Sequence, residues 1–138
     1  MIMDAQLLPS DAQAVTTTAP SVNAIDLGVA RDIGRGAPLR AVAVVTAGFA
    51  GGTSIRADLV ESDNADLSSP ATLVTGNATT TANAVAGRKL ADVIVPTTSK
   101  RYLGFNYVVS GTMSAGKVTA GLVLDTDANL YHTAHTGF

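Results

Sequence analysis

The chain has 138 residues, a formal charge of −2, 46% apolar and 14% charged residues, and no cysteine. That length fits one domain, and the missing cysteine removes disulfides, thiolate metal sites and thiol catalysis together. The slight acidic excess argues against a partner recognised by positive charge, so neither nucleic acid nor an anionic membrane surface is expected.

In chain order, residues 1–21 read as an N-terminal arm and lead-in, 22–125 as a folded domain, and 126–138 as a tail. The first basic residue is Arg31, so no leader with a positive n-region is expected. The arm begins Met1-Ile2-Met3 and reaches Leu7-Leu8 through one charge, Asp4. Short helices fit only near residues 9–15 and 83–86. Strands are predicted at 22–27, 38–46, 54–62, 71–75, 78–81, 89–95, 101–110 and 117–125, because β-branched residues and period-two alternation recur there. The longest apolar stretch, 41–50, is far short of the ~20 residues of a membrane-spanning helix. In the two clearest strands Leu103, Phe105, Tyr107 and Val109 share one face, and Leu122 and Leu124 share another. These six are the expected core. Asp58 and Asp92 are expected on exposed sheet faces.

The connections carry turn chemistry: Gly28, Gly34 and Gly36 before Pro38, a Gly-rich tip at 47–52 projecting Phe49, polar turns at 62–66 and 75–77, and a hairpin link at 111–116. Arg31 and Asp32 are expected to pair within the first of these loops. Eight short strands at such spacing predict an all-β fold: a single-domain antiparallel β-sandwich, jelly-roll-like, with an extended N-terminal arm.

Motifs that would carry chemistry fail on inspection. Residues 111–118 nearly spell a phosphate-cradling loop, but Val118 replaces the hydroxyl residue and the following segment alternates as a strand where a helix is required. Asp125, Asp127 and Asn129 match the first ligands of a calcium loop, but Leu130 and Thr136 stand at its Gly and Glu positions. His132 and His135 lack a third ligand nearby. Glu61 is the one glutamate, and no second carboxylate pairs with it or with Asp58 or Asp92 in the way glycoside hydrolysis needs. No nucleophile elbow is present. Together these absences argue against an enzyme and against a bound cofactor or metal.

An interaction role remains. An apolar arm, a projecting aromatic and an aromatic-bearing tail are liabilities in water unless covered. Met1, Ile2, Leu7, Leu8, Phe49, Tyr131 and Phe138 are therefore the candidate partner contacts. Each has a plainer reading, since an arm can add to its own sheet and a loop Phe can fill its own core.

The ordered set Ser10-Asp11-Ala12-Gln13-Ala14-Val15, Ile25-Asp26-Leu27-Gly28, Ala30-Arg31-Asp32-Ile33-Gly34-Arg35-Gly36 with Pro38-Leu39, Arg101-Tyr102-Leu103-Gly104-Phe105-Asn106-Tyr107, Ala115-Gly116-Lys117-Val118 and Leu122-Val123-Leu124-Asp125 with Asn129 and Tyr131 resembles a family of tailed-bacteriophage capsid cement (decoration) proteins. The resemblance runs over nearly the whole chain in the same order. It implies a virion protein on the outer capsid surface, present in the host cytoplasm during assembly. It further implies a major capsid protein partner, self-association as a homotrimer and no catalytic residues. A head–tail joining protein and a surface glycan-binding sandwich are the alternatives; the absence of Trp and the 4% aromatic content count against the latter. Deleting residues 1–8 is expected to weaken assembly or capsid binding and leave the sandwich folded.

Overall fold

The computed structural model describes residues 3–124. Ten strands form two antiparallel sheets: β1 (Ser10–Ala14), β2 (Ala19–Pro20), β3 (Ile25–Asp26), β4 (Arg40–Ala50), β5 (Ser54–Ser62), β6 (Ala71–Val74), β7 (Thr79–Thr80), β8 (Lys89–Ile94), β9 (Tyr102–Ser110) and β10 (Ala115–Val123). One sheet runs β1-β10-β4-β8 and the other β2-β9-β5-β6. β3 continues the β2 position along β9, and β7 continues the β6 position along β5. Ten segments thus fill eight places, and the all-β sandwich expected from the sequence is the fold.

The core lies between the sheets. Ile55, Ala57 and Leu59 of β5 and Leu103, Phe105 and Tyr107 of β9 face Ala41, Ala43 and Val45 of β4 and Val118, Ala120 and Leu122 of β10. The aromatic and long aliphatic side chains of β5 and β9 meet mostly Ala and Val on β4 and β10, which lets the layers interdigitate. Phe105 and Tyr107 stack with ring centroids 6.3 Å apart. The buried Tyr107 hydroxyl donates to Ser10 Oγ at 2.7 Å, and Ser10 Oγ donates to Gln13 Oε1 at 2.6 Å. Burial pushes the Tyr107 hydroxyl well above the ordinary phenol pKa, with the Ser10 bond opposing only part of that rise.

Several expectations are corrected. The folded domain begins near Ser10, not residue 22, because β1 pairs with β10 and β2 with β9. No helix forms at 9–15 or 83–86; the first is largely β1 and the second is turns. β4 runs through the supposed tip to Ala50. Leu124, expected in the core, is 74% exposed because β10 ends one residue before it. Val109 is only partly buried, at the margin of the core against which it packs. Asp58 is 4% exposed, since the Gly76 N–H donates to it at 2.9 Å and covers that face. The segment after Lys117 is strand, as its alternation predicts.

Candidate interaction face

The registers place two ends on the sandwich. At one end lie the finish of β3, β5, β8 and β10 and the start of β4, β6 and β9, because Arg40 pairs with both Val123 and Ile94, and Ser62 with Tyr102. Four of the exposed large apolar side chains gather here: Leu7, Val29, Ile94 and Leu124. The opposite end carries the 51–53 and 111–114 turns and the exposed Val85.

The loops at the first end are stiffly held. Asp32 Oδ1 accepts from the N–H groups of Gly34 (2.8 Å) and Thr98 (3.1 Å). Thr98 Oγ1 donates to the Arg31 carbonyl at 2.8 Å and accepts from the Ile33 N–H at 2.9 Å. A Cβ on Gly34 would run into the Pro96 carbonyl, so only glycine allows the two loops to meet. The expected Arg31–Asp32 pair does not form. Asp32 Oδ2 lies 3.0 Å from Arg35 Nε, an ion pair without a directed hydrogen bond, and Arg31 lines an apolar cleft. Glu61, buried at the end of β5, accepts from the Ser99 N–H (2.8 Å), the Ser99 hydroxyl (2.9 Å) and the Lys100 N–H (3.1 Å). The one glutamate is thus a clamp for the loop leading into β9, and Lys100 Nζ reaches Asp63 at 2.6 Å on its outer side.

Charge is arranged as local clusters at this end and along the neighbouring sheet face. Arg101 grips Asp26 through two bonds of 2.8 and 2.9 Å while its guanidinium lies 5.1 Å from the Tyr102 ring centroid. Arg40 and Lys89 both bond Asp92. The Arg101 hydrogen bonds, helped by the Gly28 N–H, hold the Asp26 carboxyl down at about 2. For Asp92, partial desolvation pushes upward, but the bonds from Lys89 and Arg40 outweigh it and the pKa is lowered. A carboxylate whose folded pKa is depressed contributes stability above its unfolded pKa and loses it as pH falls through the folded value. Between about pH 4 and pH 2 the thermal midpoint is therefore expected to drop, and to drop less in Asp26→Asn, as scanning calorimetry across that range would read.

Of the seven candidate contacts, Leu7 sits on this face. Leu8 is half-buried, and its side chain and the Leu7 carbonyl lie over Gly121, whose β4 partner Val42 is fully buried. Residues 3–8 therefore cover their own sheet, and deleting the arm is expected to cost stability as well as contacts. Phe49, expected to project, is 7% exposed and is a core residue at the other end. Met1, Ile2, Tyr131 and Phe138 lie outside the described residues, as do His132, His135 and the 125–129 segment. Val29 and Ile94 were not singled out from sequence, where isolated aliphatics in a loop and at a strand end look like ordinary core. Among the described residues no group of three His, Asp or Glu side chains is placed to hold a metal ion, and no helix is long and apolar enough to cross a membrane.

No curated protein matches the sequence. A family model does, over residues 9–122, which takes in the two-sheet unit from just before β1 to the next-to-last residue of β10. On that match the chain belongs to the Bbp16 family, a phage-related family.

Proposed function

We propose that this protein binds the outer surface of an assembled phage capsid and braces adjacent capsomers against the pressure of packaged DNA. Its partners are the major capsid protein and further copies of itself, in the homotrimer that the family resemblance implies. In this reading it performs no chemistry and needs no cofactor. The observation that carries it is the end face of a phage-family sandwich, where exposed Leu7, Val29, Ile94 and Leu124 stand on loops fixed by Asp32, Thr98 and Glu61. A stiff apolar face loses little conformational freedom on docking, so more of its contact energy appears as affinity. A symmetric oligomer touching several capsomers multiplies contacts through effective concentration, and no one of them has to be strong.

The strand order, β1-β10-β4-β8 against β2-β9-β5-β6 with the chain passing between sheets, supports reading the sandwich as a jelly roll, a fold frequent in viral coats. Such a brace resists shear because a break must part whole antiparallel ladders together. The test compares otherwise identical capsids with and without the protein under heating. Decorated shells are expected to survive to higher temperature, with copies per particle numbering in the hundreds. Equal survival removes the bracing role, and about a dozen copies would assign the protein to the head–tail junction instead.

A further inference from the structure

The two flanks of the sandwich, where the sheets end side by side, are unlike. On one, the edge strands β1 and β2 are latched together: Gln13 of β1 accepts from the Val22 N–H at 2.9 Å through Oε1 and donates through Nε2 to the Pro20 carbonyl at 3.0 Å. The Asn23 N–H donates to the Pro9 carbonyl at 2.9 Å, and Pro20 itself has no N–H to offer an incoming strand. On the other flank the sheets end in β8 and in β6 with β7, and between them lies a cleft of about 270 Å³. Ala57 and Leu59 of β5, Val74, and Leu90, Ala91 and Val93 of β8 give it an apolar lining, which residues 75–77 complete in the break between β6 and β7. We propose that this flank receives an extended, acidic segment of the shell protein, which adds to β8 as a fifth strand of its sheet and sets apolar side chains into the cleft.

The main chain of β8 is set for such a strand. The Val95 N–H donates to the Leu39 carbonyl at 2.8 Å, Ala41 pairs with Val93 and Ala43 with Ala91. Alternate residues of an antiparallel ladder bond the same neighbour, so Ala91, Val93 and Val95 turn their main-chain groups to β4 while Asp92 and Ile94 turn theirs outward. Among the described residues no strand lies beyond β8. The Asp92 carbonyl takes a 3.4 Å bond from Arg40 Nη2, so the edge presents the Asp92 N–H and both Ile94 groups. The β4–β8 register shifts only beyond Ala91, toward Lys89, and residues 91–94 form a regular run. Side chains of an added strand on the Ala91 and Val93 side enter the cleft, the arrangement in which main-chain bonds supply affinity and pockets for alternate side chains supply specificity. Charge then selects the segment. Arg40, Arg88 and Lys89 surround a single described carboxylate, Asp92, on a chain whose total charge is −2. An acidic strand complements that excess of cations, whereas β8 of a second copy would bring the same cations against them.

The inference rests on the capsid reading for the source of the segment, and Ile94 joins this edge to the apolar end face. Hydrogen exchange of the full-length protein, free and bound to capsids, is read by mass spectrometry over residues 88–95. The Asp92 and Ile94 amides are expected to exchange fast in the free protein and about tenfold or more slowly on the shell. Co-sedimentation with capsids stripped of the protein gives the second readout. Asp92→Asn keeps the N–H and removes the carboxylate, and should bind at least as tightly as the unaltered protein. Asp92→Pro removes the N–H as well, at an edge position where proline is tolerated, and should bind about tenfold more weakly than Asp92→Asn. Arg88→Glu combined with Lys89→Glu should also weaken binding about tenfold. Asp92 and Ile94 amides that exchange equally fast on decorated capsids, or that are already protected in the free protein, overturn the inference and leave the capsid reading standing. Binding unchanged by the double charge reversal overturns the acidic partner. An unaltered protein that does not sediment with capsids removes both readings together.

Discussion

Gly116→Val is expected to destabilise the protein by about 4 kcal/mol, a large share of the 5–15 kcal/mol that holds a domain of this size together. Gly116 lies on β10 with φ of +140°, a conformation that L side chains rarely adopt, so a branched side chain there carries about 1–3 kcal/mol of backbone strain. Its register is also irregular: Ala115 pairs with Ala50 and Lys117 with Ala47, leaving Gly116 opposite the Phe49 stretch. The Phe49 ring lies against the Gly116 Cα, in the space that a Cβ would fill. Valine must push the ring out of the core, adding about 1–3 kcal/mol of overpacking. The two costs can be separated. In a Phe49→Ala background, which by itself costs about 3–5 kcal/mol, Gly116→Ala should cost only its backbone strain. Urea unfolding of the four proteins in that Gly116→Ala cycle should give a coupling of about 1–3 kcal/mol. Additive effects would mean that the ring does not depend on the missing side chain.

The same pair shows where sequence reading works and where it stops. β5 and β9 were legible because one face of each is large and apolar against the core, and period-two alternation survives wherever one face is buried. Phe49 was not. Flanked by Gly48 and by Gly51-Gly52, it reads as the tip of a mobile turn, yet it belongs to a strand whose bulged partner offers a glycine 67 residues later. β1 was missed for a related reason: Ser-Asp-Ala-Gln-Ala has no apolar face, and its strand character comes from pairing with β10 at the far end of the chain. Leu124 failed in the opposite direction, since alternation carries on past the point where the ladder ends. The interaction face was the least legible. Asp32 finds its amide partner at Thr98 and Glu61 finds its partners at Ser99 and Lys100, contacts that exist only once the loops converge. What the sequence did convey of the face was its kind: apolar side chains on a chain with few charges and no reactive constellation.

If the converged face is what grips the capsid, placing a charge on it should abolish binding without unfolding the protein. Val29 and Ile94 are 62% and 55% exposed, so Val29→Asp and Ile94→Asp remove little that the isolated domain uses, and each is expected to shift stability by no more than about 0.5 kcal/mol. On the capsid the same carboxylates would be taken out of water without a partner. An uncompensated buried charge costs about 3 kcal/mol or more, roughly a hundredfold in affinity for each substitution. A multivalent brace should amplify that loss, because every copy in an oligomer carries the defect and the effective-concentration gain depends on each contact closing. Val85→Asp provides the control: equally exposed at 55%, it stands at the opposite end of the sandwich and should leave binding unchanged. Co-sedimentation with capsids stripped of the protein reads all three. Retained binding by both face variants, with loss in Val85→Asp, would move the contact to the 51–53 and 111–114 end. Retained binding in all three would leave the flanks of the sheets, where Val22 stands 73% exposed beside the β2–β3 edge, as the surface that meets the shell.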